Sequence, residues 1–327
     1  MSTSIRNLSY SLAINEAIHQ MMSEDKNLLL LGQGVKSPWY VGNTASGLLE
    51  KFGDLRVIDT PVSENAMTGA AVGAAITGMP AIIVHPRMDF MMYAFDPIIN
   101  EAANWSYMCG GKSSAPVVIW GVINRKGEQA AQHSQALQAL FAHIPGLKVV
   151  APSNPVDAKG LMIAAIRDKN PVIFVDDRWL YNLESHVPKN VYEIPIGKAA
   201  ILKKGKDITL VSSSYLLQET LKAAKQLAKE DISAEVVDLR TIKPLDKDLI
   251  CKSVKKTGKL VIIDGGWKSF GVSAEISAMV SENIFSHLKA PIKRLALDDI
   301  PAPSSSVLEE VYYKGSKDIV KLVKSIL

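Results

Sequence analysis

Residues 56–78 read Arg-Val-Ile-Asp-Thr-Pro-Val-Ser-Glu-Asn-Ala-Met-Thr-Gly-Ala-Ala-Val-Gly-Ala-Ala-Ile-Thr-Gly, and this stretch decides the fold. A short apolar strand, Val57-Ile58, leads into a helix of small residues. Glu64 opens that helix, at the strand-to-helix junction where α/β enzymes place their chemistry. Gly69 and Gly73 are four residues apart and share one helix face. Because glycine destabilises helices, this face predicts the close approach of another backbone, such as a second subunit.

Working outward, the N-terminal half alternates buried apolar runs with helical patterns. Besides the opening stretch, we predict strands over residues 28–31, 81–84, 116–121, 148–152 and 171–176, and helices over residues 8–22, 89–104, 134–142 and 155–167. Strands that alternate with helices form mostly parallel sheets. This half is therefore predicted to be a doubly wound α/β domain.

The pattern stops in an extended segment near residue 186 and then restarts. The second half predicts strands over 208–212, 234–239, 260–264 and 292–297, and helices over 216–230, 272–283 and 317–326. The glycine-rich residues 263–268 read as a turn. We therefore predict an α/β domain over 1–185, a linker over 186–200 and a second α/β domain over 201–327.

Composition excludes several classes of protein. The formal net charge is only +4, and no basic stripe is interleaved with aromatic residues, which argues against nucleic-acid binding. No apolar run reaches transmembrane length and no signal segment opens the chain. Cys109 and Cys251 lie far apart, which is typical of reduced thiols in the cytoplasm.

Several side chains near predicted strand ends are candidates for chemistry. Glu64 is a candidate acid, although the helix dipole alone favours a glutamate there. His133 follows a strand and its loop, where it could act as acid, base or oxyanion partner, or merely cap a helix. His85 and Arg87 could bind an anionic substrate or lie on a solvated loop. Phe90 is by default a core aromatic.

These residues, in their order along the chain, resemble the beta subunit of the thiamine-diphosphate-dependent first component of 2-oxo acid dehydrogenases, of the pyruvate dehydrogenase type. The resemblance covers nearly the whole chain. It rests on residues 58–64, 69–75, 107–111, 130–135, 145–150, 157–161, 238–245 and 265–271. It implies a pyrimidine-binding thiamine-diphosphate fold followed by a transketolase C-terminal-type domain.

The resemblance also implies roles for individual residues. Glu64 matches the glutamate that hydrogen-bonds the aminopyrimidine ring and so promotes loss of the thiazolium proton. Phe90 matches an aromatic that packs on that ring, and His133 matches a histidine that faces the substrate. A potassium site seen in some members matches Val117, Ala165, Ile166, Asp168 and Asn170.

The family binds the cofactor's diphosphate and Mg ion through a Gly-Asp-Gly…Asn motif, which this sequence lacks. The resemblance therefore implies that an alpha-type subunit supplies that half of the site, in an α2β2 heterotetramer with the cofactor at the interface. The glycine face after Glu64 would then be a subunit contact. A lipoyl acyltransferase is a further expected partner.

Three segments depart from the family pattern. Gln33-Gly34 replaces an acidic residue of a carboxylate path between active sites, so the resemblance does not extend to that proton communication. Residues 84–89 are more cationic than in most members of the family, and the loop over residues 120–127 differs in sequence from theirs. Because both lie at strand ends, we expect a substrate rim formed by His85, Arg87 and Trp120.

The leading hypothesis is a catalytic beta subunit that decarboxylates a 2-oxo acid and passes the acyl group to a lipoyl carrier. A second hypothesis keeps the cofactor but has His85, Arg87, Arg125 and Lys126 bind a phosphorylated or sugar-like acceptor, as in a split transketolase or carboligase. A third is a non-catalytic assembly subunit, which unchanged activity after Glu64→Ala would support.

Overall fold

The structure, a computed structural model, describes residues 6–37 and 41–327. The described chain divides into two compact units. The first contains the residues up to 124 and residues 140–196, and the second contains residues 125–139 and 197–327. The segment 125–139 thus groups with the second unit, which a linear division of the sequence does not show.

A parallel sheet is the centre of the first unit. The strands of this unit are β1 (Asn7–Ser9), β2 (Leu29–Gly32), β3 (Val57–Asp59), β4 (Ala81–His85), β5 (Val117–Ile123), β6 (Lys148–Val150), β7 (Val172–Asp177) and β8 (Glu184–His186). Six of them run parallel in the order β6-β7-β5-β4-β2-β3, while β1 pairs antiparallel with β8. Every residue of β4 and β5 is buried, as expected for parallel strands covered on both faces.

The helices that accompany this sheet begin at sequence signals. They are α1 (Tyr10–Glu24), α2 (Leu48–Phe52), α3 (Glu64–Ile76), α4 (Ala103–Met108), α5 (Gln138–His143) and α6 (Pro155–Arg167). The Ser9 side chain caps α1 by accepting from the Leu12 N–H, 3.3 Å away. Asn154 caps α6 in the same way, and Pro155 takes its first position, where no N–H is needed.

The continuous helix predicted over residues 89–104 is wrong. The structure has a 3-10 helix over Met88–Ala94, a π-helix over Asp96–Ala102 and only then α4. Pro97 lacks the N–H that a continuous α-helix would use at that point, and the pairing shifts around it. Both irregular segments pack against α3.

The second unit is a smaller α/β sheet. Its strands are β9 (Ala200–Lys203), β10 (Ile208–Ser212), β11 (Ala234–Asp238), β12 (Thr241–Lys243), β13 (Leu260–Trp267) and β14 (Lys293–Leu297); its helices are α7 (Ser214–Ala228), α8 (Lys247–Thr257), α9 (Val272–Ile284), α10 (Ser306–Tyr312) and α11 (Ser316–Lys324). In the order β14-β13-β10-β11-β9, the strands are parallel except β9. The predicted α/β class with mostly parallel sheets is confirmed.

Residues 263–268, predicted as a turn, instead continue β13 as far as Trp267. The glycines have a packing role there. A Cβ on Gly265 would lie 2.4 Å from Arg125 Nη2, and Arg125 Nη1 donates to the Gly265 carbonyl at 3.1 Å. The strand therefore needs glycine because a guanidinium group lies against its backbone.

The segment that leaves the first sheet is held by a buried lysine. Lys159 on α6 has no exposed side-chain surface, and its Nζ donates to Glu16 Oε1 at 2.6 Å and to the carbonyls of Pro188 and Asn190 at 2.8 and 3.0 Å. Burial lowers the pKa of Lys159, and the nearby Glu16 carboxylate opposes that shift. One ammonium group thus joins α6, α1 and residues 188–190.

Within the described ranges, no helix combines the length and apolar character needed to cross a membrane.

Candidate active site

The candidate site lies where the parallel strands of the first sheet end. Gly32 at the end of β2 pairs with Asp59 of β3 on one side and with Val84 of β4 on the other. The residues that follow, including Gln33 and His85, therefore leave the sheet at the same edge. Open α/β sheets bind ligands at this carboxyl edge.

Glu64 begins α3 at this edge, as the sequence predicts. Its side chain is partly exposed, and its Oε1 accepts a hydrogen bond from Gln33 Nε2 at 3.2 Å. Gln33 is the one hydrogen-bond partner of this carboxylate among residues 6–37 and 41–327, so Oε2 has no protein partner there. A carboxylate at a helix N-terminus is also favoured by the helix dipole.

Local backbone geometry directs Gln33 toward Glu64. Gly32 has a φ of +155°, and a Cβ at that position would lie 2.8 Å from the Val84 carbonyl oxygen. The N–H of Gly34, whose φ is +72°, donates to Asp59 Oδ1 at 2.6 Å. Glycines on both sides thus allow a tight exit from β2 that a residue with a side chain would obstruct.

His85 ends β4 and is completely buried. Its Nε2 lies 3.1 Å from Thr68 Oγ1 on α3, while its Nδ1 has no partner among the described residues. Burial lowers the pKa of His85 to about 4. Burial thus favours the neutral ring near pH 7, which does not support the expectation that His85 supplies a positive charge to an anionic substrate.

Arg87 and Phe90 follow β4 and are both partly exposed. Arg87 Nη1 donates to the Pro86 carbonyl at 2.8 Å. Phe90 lies in the 3-10 helix that packs against α3. The structure thus places Phe90 on an element that contacts the helix of Glu64.

Trp120 lies inside the first unit rather than at a rim. Only 1% of its surface is exposed, its ring meets Phe174 edge-on, and its Nε1 donates to Asp176 Oδ2 at 3.0 Å. The sequence pattern placed Trp120 at the start of a loop, whereas the structure places it within β5, where its indole points into the core. The expectation that Trp120 lines the substrate rim is therefore not supported.

Asp176, which the sequence analysis missed, is a buried carboxyl group at the end of β7. Tyr181 donates its hydroxyl to Asp176 Oδ2 at 2.8 Å. Burial raises the pKa of Asp176 to about 7, although the hydrogen bonds from Tyr181 and Trp120 oppose the shift. No sequence signal distinguishes it from its neighbour Asp177, since both end the same strand.

This raised pKa predicts a pH-dependent stability. Between about pH 4 and pH 7 the folded chain keeps a proton on Asp176 that the unfolded chain releases, so the unfolding free energy should fall as pH rises. The slope is roughly 1.4 kcal/mol per pH unit. Asp176→Asn should reduce the fall in the urea midpoint of unfolding between pH 4.5 and pH 7.5. An equal fall in the variant and the unaltered chain would contradict a raised pKa of Asp176.

His133 belongs to the segment 125–139 of the second unit, where it is partly exposed. Two hydrogen bonds fix this segment to α10. The Glu128 N–H donates to Glu309 Oε1 at 3.0 Å, and Glu128 Oε1 accepts from the Ser306 N–H at 3.2 Å. Lys126, Glu128 and Ala130 have φ values of 55°, 60° and 61°. Such strained backbone is often found at functional sites.

The residues proposed for potassium lie at the end of α6 and at β5. The Asp168 carboxylate forms an ion pair with Lys148, and its Oδ1 accepts from the Asn170 N–H at 2.9 Å. The Ala165 carbonyl accepts from the Asp168 N–H at 3.3 Å. The side-chain oxygens of Asp168 are therefore already engaged.

Comparison with known proteins identifies the family. Residues 6–184 match the model of the transketolase pyrimidine binding domain and residues 197–319 that of the transketolase C-terminal domain. The chain is 45% identical to the acetoin:2,6-dichlorophenolindophenol oxidoreductase subunit beta of Cupriavidus necator, over 98% of both chains. It is 42% identical to the pyruvate dehydrogenase E1 component subunit beta of Rickettsia felis, over 96% of both. The chain belongs to this family, the beta subunits of the first (E1) component of 2-oxo acid dehydrogenases.

A solved structure shares the fold of this E1 beta-family chain. It is described as a split gene transketolase, inactive beta4 tetramer, and it matches with a TM-score of 0.79 over 97% of both chains. At 22% sequence identity this likeness concerns the fold alone. It agrees with the two transketolase-type domains that the sequence predicts.

Membership of the E1 beta family implies thiamine diphosphate, and the residues present fit its pyrimidine ring. The ring needs a carboxyl group beside a nitrogen and an apolar surface. Glu64 is partly exposed and has an oxygen without a partner among the described residues, while the element that carries Phe90 packs against α3. Sequence reasoning missed the hydrogen bond of Gln33 to Glu64 and that of Thr68 to His85, although Thr68 lies four residues beyond Glu64 and so shares its helix face.

Proposed function

We propose that this E1 beta-family chain, together with an alpha-type subunit, decarboxylates a 2-oxo acid and passes the acyl group to a lipoyl carrier. The observation that carries the proposal is the carboxylate of Glu64 at the carboxyl edge of a parallel sheet, where Gln33 donates to Oε1 and no residue of the described ranges bonds Oε2. The family match over both domains supports it.

In this proposal Glu64 holds a proton between its Oε2 and a nitrogen of the pyrimidine ring. When bound, thiamine diphosphate supplies the nucleophilic carbon that attacks the 2-oxo carbonyl. Phe90 would pack on the pyrimidine ring and exclude water. His133 would stabilise negative charge on the reacting carbonyl oxygen or assist acyl transfer.

The diphosphate and its Mg ion are expected to be held by the alpha-type subunit, in an α2β2 assembly that also docks a lipoyl acyltransferase. Both relatives described above are named as beta subunits, which supports a heteromeric assembly. A cytoplasmic location is part of the same proposal, and the free thiols of Cys109 and Cys251 suit it.

A potassium ion near the end of α6 remains part of the proposal. Carbonyl oxygens at a helix C-terminus carry partial negative charge and suit a monovalent cation. Since Lys148 already pairs with the Asp168 carboxylate, we expect Val117, Ala165, Ile166, Asp168 and Asn170 to contribute through main-chain carbonyls.

The charges do not favour the alternative of a phosphorylated or sugar-like acceptor. His85 is buried and neutral near pH 7. Arg125 is 5% exposed and donates to the Gly265 carbonyl, and Lys126 lies 3.5 Å from the Glu310 carboxylate. Arg87, the fourth cation behind that alternative, is partly exposed and donates to the Pro86 carbonyl.

Acetoin is a second candidate substrate, because a relative at 45% identity is named for it. The test is to purify the chain with its alpha-type subunit and to supply thiamine diphosphate and Mg. With pyruvate as substrate, the complex should acylate a lipoyl domain in one assay and reduce dichlorophenolindophenol in another. Dye reduction with acetoin and no lipoyl acylation would favour the second candidate, while inactivity of the assembled complex with both substrates would contradict the proposal.

The glycine face of α3 gives a prediction about assembly. Among the described residues, nothing lies within 4 Å of a Cβ added at Gly69 or Gly73, so Gly69→Leu and Gly73→Leu should leave the chain folded and raise helix propensity. If the face contacts another subunit, both variants should fail to co-purify with the alpha-type subunit. Ala228→Leu, on the exposed end of α7, is the control, and normal assembly of both glycine variants would contradict the predicted contact.

A further inference from the structure

Two contacts join α3 to the edge of the first sheet, and they lie side by side. Because Gly32 pairs with Val84 in the register of β2 and β4, Gln33 and His85 leave neighbouring strands at equivalent positions. Glu64 and Thr68 are four residues apart on α3, one turn along the same face. Each of the two residues at the sheet edge therefore contacts one of the two on the helix. Gln33 contacts Glu64, and His85 contacts Thr68.

We propose that Gln33 and His85 are positioning residues that together fix the Glu64 carboxylate for the pyrimidine ring, Gln33 by holding Oε1 and His85 by holding α3 through Thr68, one turn beyond Glu64. This inference rests on the proposed role of Glu64 and adds two residues to it.

Gln33 acts on the carboxylate itself. A free glutamate side chain samples several rotamers, and fixing them before a ligand binds removes that entropic cost from binding. The amide N–H group donates to Oε1 and leaves Oε2 for the ring. The amide also reaches Met67 Sδ at 3.9 Å, which accepts from Thr60 Oγ1 at 3.4 Å. Gln33 is therefore itself enclosed between α3 and the end of β3.

His85 acts one turn further along the helix. Thr68 and His85 are both completely buried, so their hydrogen bond is shielded from competing water. The lowered pKa of the imidazole keeps it uncharged over the range in which enzymes work. A neutral ring can stay in the interior and hold the helix without a counter-ion.

The test compares two ligands on the assembled complex with its alpha-type subunit, freed of cofactor. One is thiamine diphosphate, and the other is an analogue in which CH replaces the pyrimidine nitrogen that faces the carboxylate. Loss of a hydrogen bond to a charged group corresponds to roughly a 10- to 100-fold change. Gln33→Met should weaken the calorimetric affinity for thiamine diphosphate by about that factor while leaving the affinity for the analogue nearly unchanged.

The second site has its own conservative variant. His85→Leu and Thr68→Val should show the same selective loss for thiamine diphosphate, whereas His85→Gln, whose amide can replace Nε2, should restore most of it. Gln226→Met, on the exposed face of α7, is the matched control and should bind both ligands as the unaltered chain does. Thermal melting of each complex establishes that the variants are folded.

Equal weakening of both ligands by Gln33→Met, or no weakening of either, would overturn the positioning role. That outcome is distinguishable from a failure of the proposed function. If Glu64→Ala keeps full activity, the role of Glu64 itself is wrong, whereas loss of activity with Glu64→Ala and unchanged binding with Gln33→Met removes only the positioning pair.

Discussion

Replacing Glu64 by glutamine in the assembled complex should lower kcat by roughly 10²- to 10⁴-fold, the range expected for the loss of a positioned acid–base group. Glutamine has the shape of glutamate and can still accept a hydrogen bond from Gln33. Its amide cannot transfer a proton to or from a ring nitrogen. The expected loss of kcat would therefore come from the chemistry and not from a change of structure. The measurement is kcat with saturating thiamine diphosphate and substrate.

The control for this prediction is Glu50→Gln, the same change on the exposed surface of α2. It should leave kcat unchanged. If Glu64→Gln retains the activity of the unaltered complex, the chain would act as a non-catalytic assembly subunit. A loss of activity together with a loss of the folded complex would not count as support, so co-purification and melting temperature are measured alongside.

The second large effect concerns stability. Lys159→Met should lower the unfolding free energy by about 3–5 kcal/mol, because it removes one partner of a buried ion pair. Glu16 would keep Arg6 as its remaining ion-pair partner, and the Pro188 and Asn190 carbonyls would lose their donor in a site without exposed side-chain surface. In a chain of this size the melting temperature should fall by roughly 4–7 °C.

Lys169→Met makes the same change on the exposed surface after α6 and should shift the melting temperature by no more than a degree or two. Glu16→Gln combined with Lys159→Met should cost less than the sum of the single changes, since both remove one interaction. A Lys159→Met chain as stable as the Lys169→Met chain would show that the buried ammonium group does not hold the segment after β8.

The parts of the fold that sequence predicted best are those with a single strong pattern. Val117–Ile123 is a continuous apolar run, which a buried parallel strand produces. Residues 155–167 carry both a helical pattern and a cap at Asn154, and α6 has those bounds. Glu64 could be placed at the start of α3 because a strand, Thr-Pro and a run of small residues come in immediate succession.

What sequence could not show depends on contacts between distant residues. The burial of His85 follows from its partner on α3 and the residues packed around it, so a position after a strand and a basic side chain suggested a positive charge that burial disfavours. Trp120 and Asp176 are 56 residues apart in sequence yet joined by a hydrogen bond. The segment 125–139 groups with the second unit through Gly265 and Glu309, which no local pattern marks.

The most direct test of the central claim is the rate at which the thiazolium C2 proton of bound thiamine diphosphate exchanges with deuterated solvent in the assembled complex. Quenched exchange followed by NMR measures this step without substrate turnover. We predict exchange that is much faster than for the free cofactor in the unaltered complex and close to the free rate in Glu64→Gln. Equally fast exchange in the two complexes would contradict the claim that Glu64 activates the pyrimidine ring.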